Sequence, residues 1–330
     1  MMKRIYLVMA LFCTTAVIVA ISCKKKKTTT TYDSTNLNKL FSDLKTAPQS
    51  FTVQAGRDTV IVGHDSTLIR FYPNSFKDAA GNIITSGTIN IDLVEMYKSG
   101  DMVLNRTVTA TADAQLLKSA GQVNIKAVMN GKEVFANKYG LGFKQPGSSA
   151  DKMALFYGGN DNEDSVVTWT SSDTKLEENT TTVNPLDTGA GFPFRGGYYY
   201  LFDSCGQFDL VNCDRLYDPK VKNTTASIIM PDATFNPSNT QVYIILPATN
   251  SATMGDERQE YNSDRYTFKI GNHGNLVPIG MDYIIVVIAN KDGTFYFDMK
   301  KGVITDGLSV KMDMAVETRG DIKARMAAIK

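Results

Sequence analysis

From Phe51 onward apolar and polar side chains alternate along much of the chain. Ile89, Ile91 and Leu93 are separated by Asn90 and Asp92, and Val123, Ile125, Ala127 and Met129 repeat the period. A period of two puts one face of an extended strand inside and the other in water. Three dipeptides that favour tight turns punctuate the pattern: Asn130-Gly131, Asp292-Gly293 and Asp306-Gly307. Asn-Gly and Asp-Gly accept the positive φ angles of a two-residue hairpin turn, so each predicts antiparallel strands on its two sides. Helical spacing is confined to the ends. Leu37, Leu40, Phe41 and Leu44 share one face of a predicted leader helix over 34–44, expected to pack on the first β body. Arg319 to Ile329 predicts a second short helix.

This pattern predicts a mainly β protein of two antiparallel β-sandwich domains, with a short N-terminal leader helix and a short C-terminal helix. The first sandwich is expected over 51–145 and the second over 191–316, with the C-terminal helix over 317–330. Residues 146–190, rich in Gly, Ser, Thr, Asp and Asn, predict a loop-heavy connector around a strand carrying Trp169.

The first residues follow a different pattern. Lys3 and Arg4 precede an apolar run from Ile5 to Ile21, which ends in Ala20-Ile21-Ser22-Cys23. A basic start, an apolar middle and small residues at the cut mark an export signal over 1–22. The cysteine after the small residues resembles a lipobox, which implies that Cys23 carries a diacylglyceryl group and becomes the new N-terminus. The competing reading is an uncleaved helix, since a run of this length is at the lower edge of what spans a bilayer. Residues 23–50 then hold the lipidated cysteine, a tether of Lys24–Lys27 and Thr28–Thr31, and the leader helix. The tether is too polar to form a core, and its lysines suit anionic head groups.

Composition narrows the partners. Loss of residues 1–22 removes Lys3 and Arg4 and no acid, so the formal charge moves from +1 to −1. A nearly neutral body lacks the basic excess of a nucleic-acid binder. Cys205 and Cys213 are the cysteines left after Cys13 is removed and Cys23 is modified. In an export compartment they are a candidate disulfide closing a short loop, the alternative being two buried thiols.

The stretch from Thr59 to Leu104 contains Arg70-Phe71-Tyr72-Pro73-Asn74-Ser75-Phe76, Gly81-Asn82 and Glu95-Met96-Tyr97. It resembles a module of uncharacterised Bacteroidota cell-envelope lipoproteins, in which a strand ends in a Pro-x-x-Phe turn and a later strand ends in Glu-x-Tyr. Its early part is similar to the ZU5 β-sandwich. Met153–Gly158 with Trp169, and Val211–Tyr217 with its Asp214-Arg215 pair, resemble the same proteins. The resemblance implies a β-sandwich fold and an outer-membrane location, on either face, and no activity.

Chemistry-bearing motifs are sparse. His64 and His273 both fall in Gly/Asn/Asp-rich turns, without the spaced partners of a zinc site or a hydrolytic triad. Asp161-Asn162-Glu163-Asp164 lacks the alternating spacing of a calcium loop. No metal or cofactor is expected. Aromatic residues crowd Phe192–Tyr217, and Tyr199 and Phe208 are the candidate ligand face there, against the alternative of a sandwich interior. Arg319-Gly320-Asp321 is read as a helix start. Asp58-Thr59-Val60 and Asp65-Ser66-Thr67 fit a short Bacteroidota O-glycosylation pattern, as do Asp33-Ser34-Thr35 and Asp164-Ser165-Val166.

Three functional readings follow. The first is a non-enzymatic, membrane-anchored envelope lipoprotein, a structural or interaction module whose partners are the membrane and other envelope proteins. The second is a glycan- or peptide-binding lipoprotein using the aromatic-rich second domain. The third is a hydrolase, which histidine poverty disfavours.

Overall fold

The computed structural model describes residues 35–111, 115–145, 151–159, 167–171, 181–182, 199–217, 220–255, 261–262, 265–271 and 277–329. The chain is mainly β, with several sheets and, among the described residues, three α-helices: α1 (Thr35–Leu44), α2 (Ser99–Leu104) and α3 (Arg319–Ala327). The signal, Cys23, the lysine tether, His273, the Asp161–Asp164 run, and the Ser34 and Ser165 glycosylation candidates lie outside the described residues.

An eight-stranded sheet contains the Gln49–Gln54, Thr88–Met96, Leu117–Met129, Asp209–Leu216, Ala154–Gly159, Val167–Ser171 and Thr107–Thr111 strands in that order, with Lys132–Glu133 paired to its third strand. A five-stranded sheet runs Thr181–Thr182, Tyr199–Cys205, Tyr139–Lys144, Leu68–Phe71, Thr59–Val62. The two share one core. Ile89, Ile91, Leu93, Val123 and Ile125 meet Ile69, Phe71, Tyr139, Leu141 and Phe143 there. The alternation in the sequence is the inner row of this sheet: Ile89, Ile91 and Leu93 are 0 % exposed, while Asn90 faces water.

A second core joins a four-stranded sheet (Tyr261–Asn262, Arg265–Ile270, Ala226–Ile229, Leu308–Lys311) to a five-stranded one (Ser251–Met254, Thr240–Leu246, Asp282–Lys291, Thr294–Val303, Ala315–Val316). Here the central strands do not alternate. Val242–Leu246 and Ile284–Ala289 are apolar runs buried on both faces, as expected when both sides of a sheet are covered. One cover is α1: Phe41 meets Tyr243 edge-on at 6.3 Å. The leader helix therefore packs on the second core, not on the first as expected. Leu37, Leu40, Phe41 and Leu44 all contribute to that second core.

Two further expectations change. Tyr199–Cys205 and Asp209–Leu216, assigned to the second domain by the boundary at 191, complete the first pair of sheets. Asp209–Leu216 pairs with Leu117–Met129 on one side and Ala154–Gly159 on the other. Asp33–Lys330 forms one contact unit. The Asp306-Gly307 turn does not make a hairpin either: Leu308–Lys311 leaves for the other sheet and pairs in parallel with Ala226–Ile229. Asp306 is pulled across by Lys222 at 2.7 Å and Thr224 at 3.0 Å, and the Gly307 N–H donates to the same threonine at 2.8 Å. The other two turns are hairpins, with φ of 52° and 76° at Asn130-Gly131 and 51° and 86° at Asp292-Gly293.

Candidate functional site

The residues singled out in the sequence go to different places. Tyr199 is 0 % exposed and packs with Leu68 and Leu201. Phe208, 8 % exposed, meets Tyr139 at 5.0 Å and Phe76 at 6.0 Å inside the first core. The pair therefore forms no exposed ligand face. Both faces of the Tyr199–Cys205 strand are covered, so Tyr199 and Tyr200 are buried although they point opposite ways. Cys205 and Cys213 are buried free thiols facing one core from opposing sheets. Burial pushes both thiols far above their usual range. Arg319-Gly320-Asp321 is the first turn of α3, where Asp321 is bonded to the capping Thr318 through its N–H and its carboxylate.

The Glu-x-Tyr motif has a structural task. Glu95 continues the inward row of Ile89, Ile91 and Leu93 but ends it at the mouth of the core. Its carboxylate accepts the N–H groups of Asp65 and Thr67, both at 2.9 Å, and the Gln49 amide at 2.8 Å. It thus organises the loop 63–67, which includes the exposed His64. Tyr97 extends the clasp: its hydroxyl pairs with Thr67 Oγ1 at 2.9 Å and receives the Lys144 N–H at 3.2 Å. Burial holds the Tyr97 phenol far above its usual range. The motif's acid and phenol are already committed to holding the loop.

A polar knot lies on the opposite face of the eight-stranded sheet. Ser119 donates to Asn212 at 3.3 Å, and Asn212 donates to Asp214 at 2.5 Å. Asp214 is fully buried with Oδ1 unpartnered, and burial raises its carboxyl well above the ordinary range while the Ser119 and Asn212 hydrogen bonds oppose the shift. The neighbouring Arg215 reaches outward to Asp151 at 3.3 Å.

The open feature is a groove of about 1080 Å³. Its wall is α1 with the linker 45–48, and the Asp209–Leu216 strand borders the floor as the next strand of the same sheet. Its floor is the outer face of Thr88–Met96 and Leu117–Met129, where Asp92 faces Lys126 and Val94 faces Asn124 across the ladder. Two residues with unusual backbone line it. Asp209 has φ 63° and Arg106 has φ 56°, both in the left-handed region that side chains with a Cβ enter at a cost. Burial, and then the charge of Glu133, raise the Asp209 carboxyl, with Lys126 opposing. Arg106 is fixed by a 2.7 Å bond to Asn38 and lies over Phe41. A smaller cleft of about 260 Å³ adjoins at Lys126, Gly158 and Asp209, with Phe208 in its lining.

Sequence reasoning missed this groove. Asp209 and Arg106 carry no turn dipeptide to reveal their backbone, and the floor strands are joined only by long-range pairing. Among the described residues no group of three or more His, Cys, Asp or Glu is placed to hold a metal, and no helix is long and apolar enough to cross a membrane. No protein-family model matches the chain, and no curated protein matches it.

Proposed function

We propose that this chain is a lipid-anchored, non-enzymatic lipoprotein of a bacterial outer membrane, acting as a structural or interaction module of the Bacteroidota type its motifs resemble. The observation that carries this reading is Cys23, placed directly after a basic start, an apolar run and Ala20-Ile21-Ser22. One acyl chain holds a protein only marginally, and each buried methylene adds about 0.8 kcal/mol, so a multiply acylated cysteine anchors stably. The body's polar motifs support the non-enzymatic part: Glu95 and Tyr97 are saturated by loop contacts. Its description as two β-sandwich domains is supported by two hydrophobic cores, each packed mainly between two of the larger sheets.

Cys23→Ala tests the anchor. The variant should keep its signal, run larger than the mature form and lose acyl labelling. Wild-type protein that is recovered with residues 1–22 attached and no fatty acid would overturn the reading. Protease treatment of intact cells then assigns the membrane face.

A further inference from the structure

We propose that the groove between α1 and the outer face of the eight-stranded sheet binds an extended polypeptide segment of another envelope protein, acidic towards one end and basic towards the other. The inference rests on the interaction-module reading above and gives that module a site.

At about 1080 Å³ the groove is at the top of the 300–1,000 Å³ usual for a small-molecule pocket and has room for a short extended segment. Its formal charge differs between its ends, net −1 at one and +2 at the other. Asp92 and Asp209 flank Lys126 at one end, while Lys45 and Arg106 lie at the other, where the Thr46 hydroxyl bonds Asn105 at 3.3 Å. The strand between Asp92 and Met96 rises roughly 3.3 Å per residue, which separates the two ends by about 13 Å. A segment with a basic part over Asp92 and Asp209 and an acidic part over Arg106 and Lys45 meets opposite charge at both ends. Between the ends the floor offers the half-buried Val94 and Leu210 to apolar side chains. Asn124 Oδ1, buried on this floor, has no hydrogen-bond partner among the described residues and can accept an N–H.

The same lining argues against a sugar. Sugar rings stack on exposed aromatic faces, and the one aromatic residue among the described lining is Phe41, 1 % exposed and covered by Arg106. The backbone at Arg106 and Asp209 supports a specific role: a Cβ-bearing residue enters the left-handed region at a cost that a glycine would avoid. These two positions keep one cation and one anion in the groove lining.

The test uses the full lipidated protein in detergent on an array of random decapeptides, beside a glycan array. The expected result is saturable binding to peptides with an acidic and a basic block separated by apolar residues. Asp92→Lys should weaken those peptides by about tenfold, and Val94→Arg, which fills the floor, should abolish binding. Lys132→Glu, at the exposed start of the short Lys132–Glu133 strand outside the groove, should change nothing. Circular dichroism confirms that each variant folds. No saturable peptide binding, binding indifferent to Asp92→Lys and Val94→Arg, or Val94→Arg-sensitive binding to glycans instead, each overturns the proposal. Acyl labelling at Cys23 reports separately on the anchor: an acylated protein that binds no peptide loses only the groove, and a peptide binder without acyl chains loses only the anchor.

Discussion

The Thr109 hydroxyl joins Ala252 twice, donating to its carbonyl at 3.1 Å and accepting its N–H at 2.8 Å. Thr109 belongs to the edge of the eight-stranded sheet, and Ala252 to the edge of the five-stranded sheet of the second core. One side chain therefore replaces a rung of β-ladder between two sheets that share no backbone pairing. Around it, Asn250 uses its full amide capacity. Its Oδ1 accepts the Ser99 N–H and hydroxyl at 3.0 and 2.8 Å, and its Nδ2 donates to Tyr97 O at 2.9 Å and Ser119 O at 3.3 Å. Ser251 also donates to Leu117 O. The two cores are locked by side chains that satisfy edge-strand backbone groups.

Thr109→Val tests this lock. Valine keeps the shape and removes the hydroxyl, leaving the Ala252 N–H and C=O without their partner in a buried place. An unsatisfied buried group costs about 1–3 kcal/mol, so a loss of about 2–4 kcal/mol is expected in urea unfolding. Thr109→Ser, which retains the hydroxyl, should recover most of it. Equal midpoints for valine and wild type would show that the two bonds contribute nothing.

Gly63 is coupled to Glu95 by space rather than by a bond. A Cβ at position 63 would come within 2.5 Å of the Glu95 carboxylate. The carboxylate is the end of a flexible side chain and can swing away, but only by releasing Asp65, Thr67 and Gln49. Hydrogen bonds to charged groups contribute about 1.5–3 kcal/mol. Gly63→Ala should therefore destabilise the protein by about 2–3 kcal/mol and expose the loop 63–67 to proteolysis. An unchanged cleavage pattern and urea midpoint would show that the loop holds itself without Glu95.

What the sequence revealed was local. The alternation of Ile89, Ile91 and Leu93, the φ-tolerant Asn130-Gly131 and Asp292-Gly293 turns, and the apolar stripe of α1 all write their structure within a few residues. Pairing across long separations leaves no such mark. Nothing near Asp209–Leu216 shows that its ladder partner is Leu117–Met129, so the pattern does not reveal which sheet this strand joins. The Asp306-Gly307 turn had the right residues, but Lys222 and Thr224, more than eighty positions away, redirect the strand after it. Aromatic crowding likewise does not say whether a sheet is covered on one face or two, so the sequence leaves Tyr199 between a ligand face and a sandwich interior, and the structure buries it. The groove was illegible for the same reason: it is made by a helix, a linker and strands that only the tertiary fold brings together.

The buried Asp214 predicts a pH dependence of definite sign. In the unfolded chain its carboxyl ionises near pH 4, whereas burial raises it well above that in the folded protein. Between the two values the folded state holds a proton that the unfolded state has released. The stability associated with this group is therefore complete below about pH 4 and drains away as the pH rises towards the folded value. Asn at position 214 has no proton to lose, keeps an oxygen for the Asn212 amide and offers an N–H₂ in place of the unpartnered Oδ1. Surface carboxylates held low, such as Asp58 beside Arg70, impose the opposite trend on both proteins and cancel in the difference. The urea midpoint of Asp214→Asn minus that of wild type should then be near its minimum at about pH 4 and climb steadily towards neutral pH. A difference that stays flat across this range would mean that Asp214 ionises as freely in the fold as in the open chain.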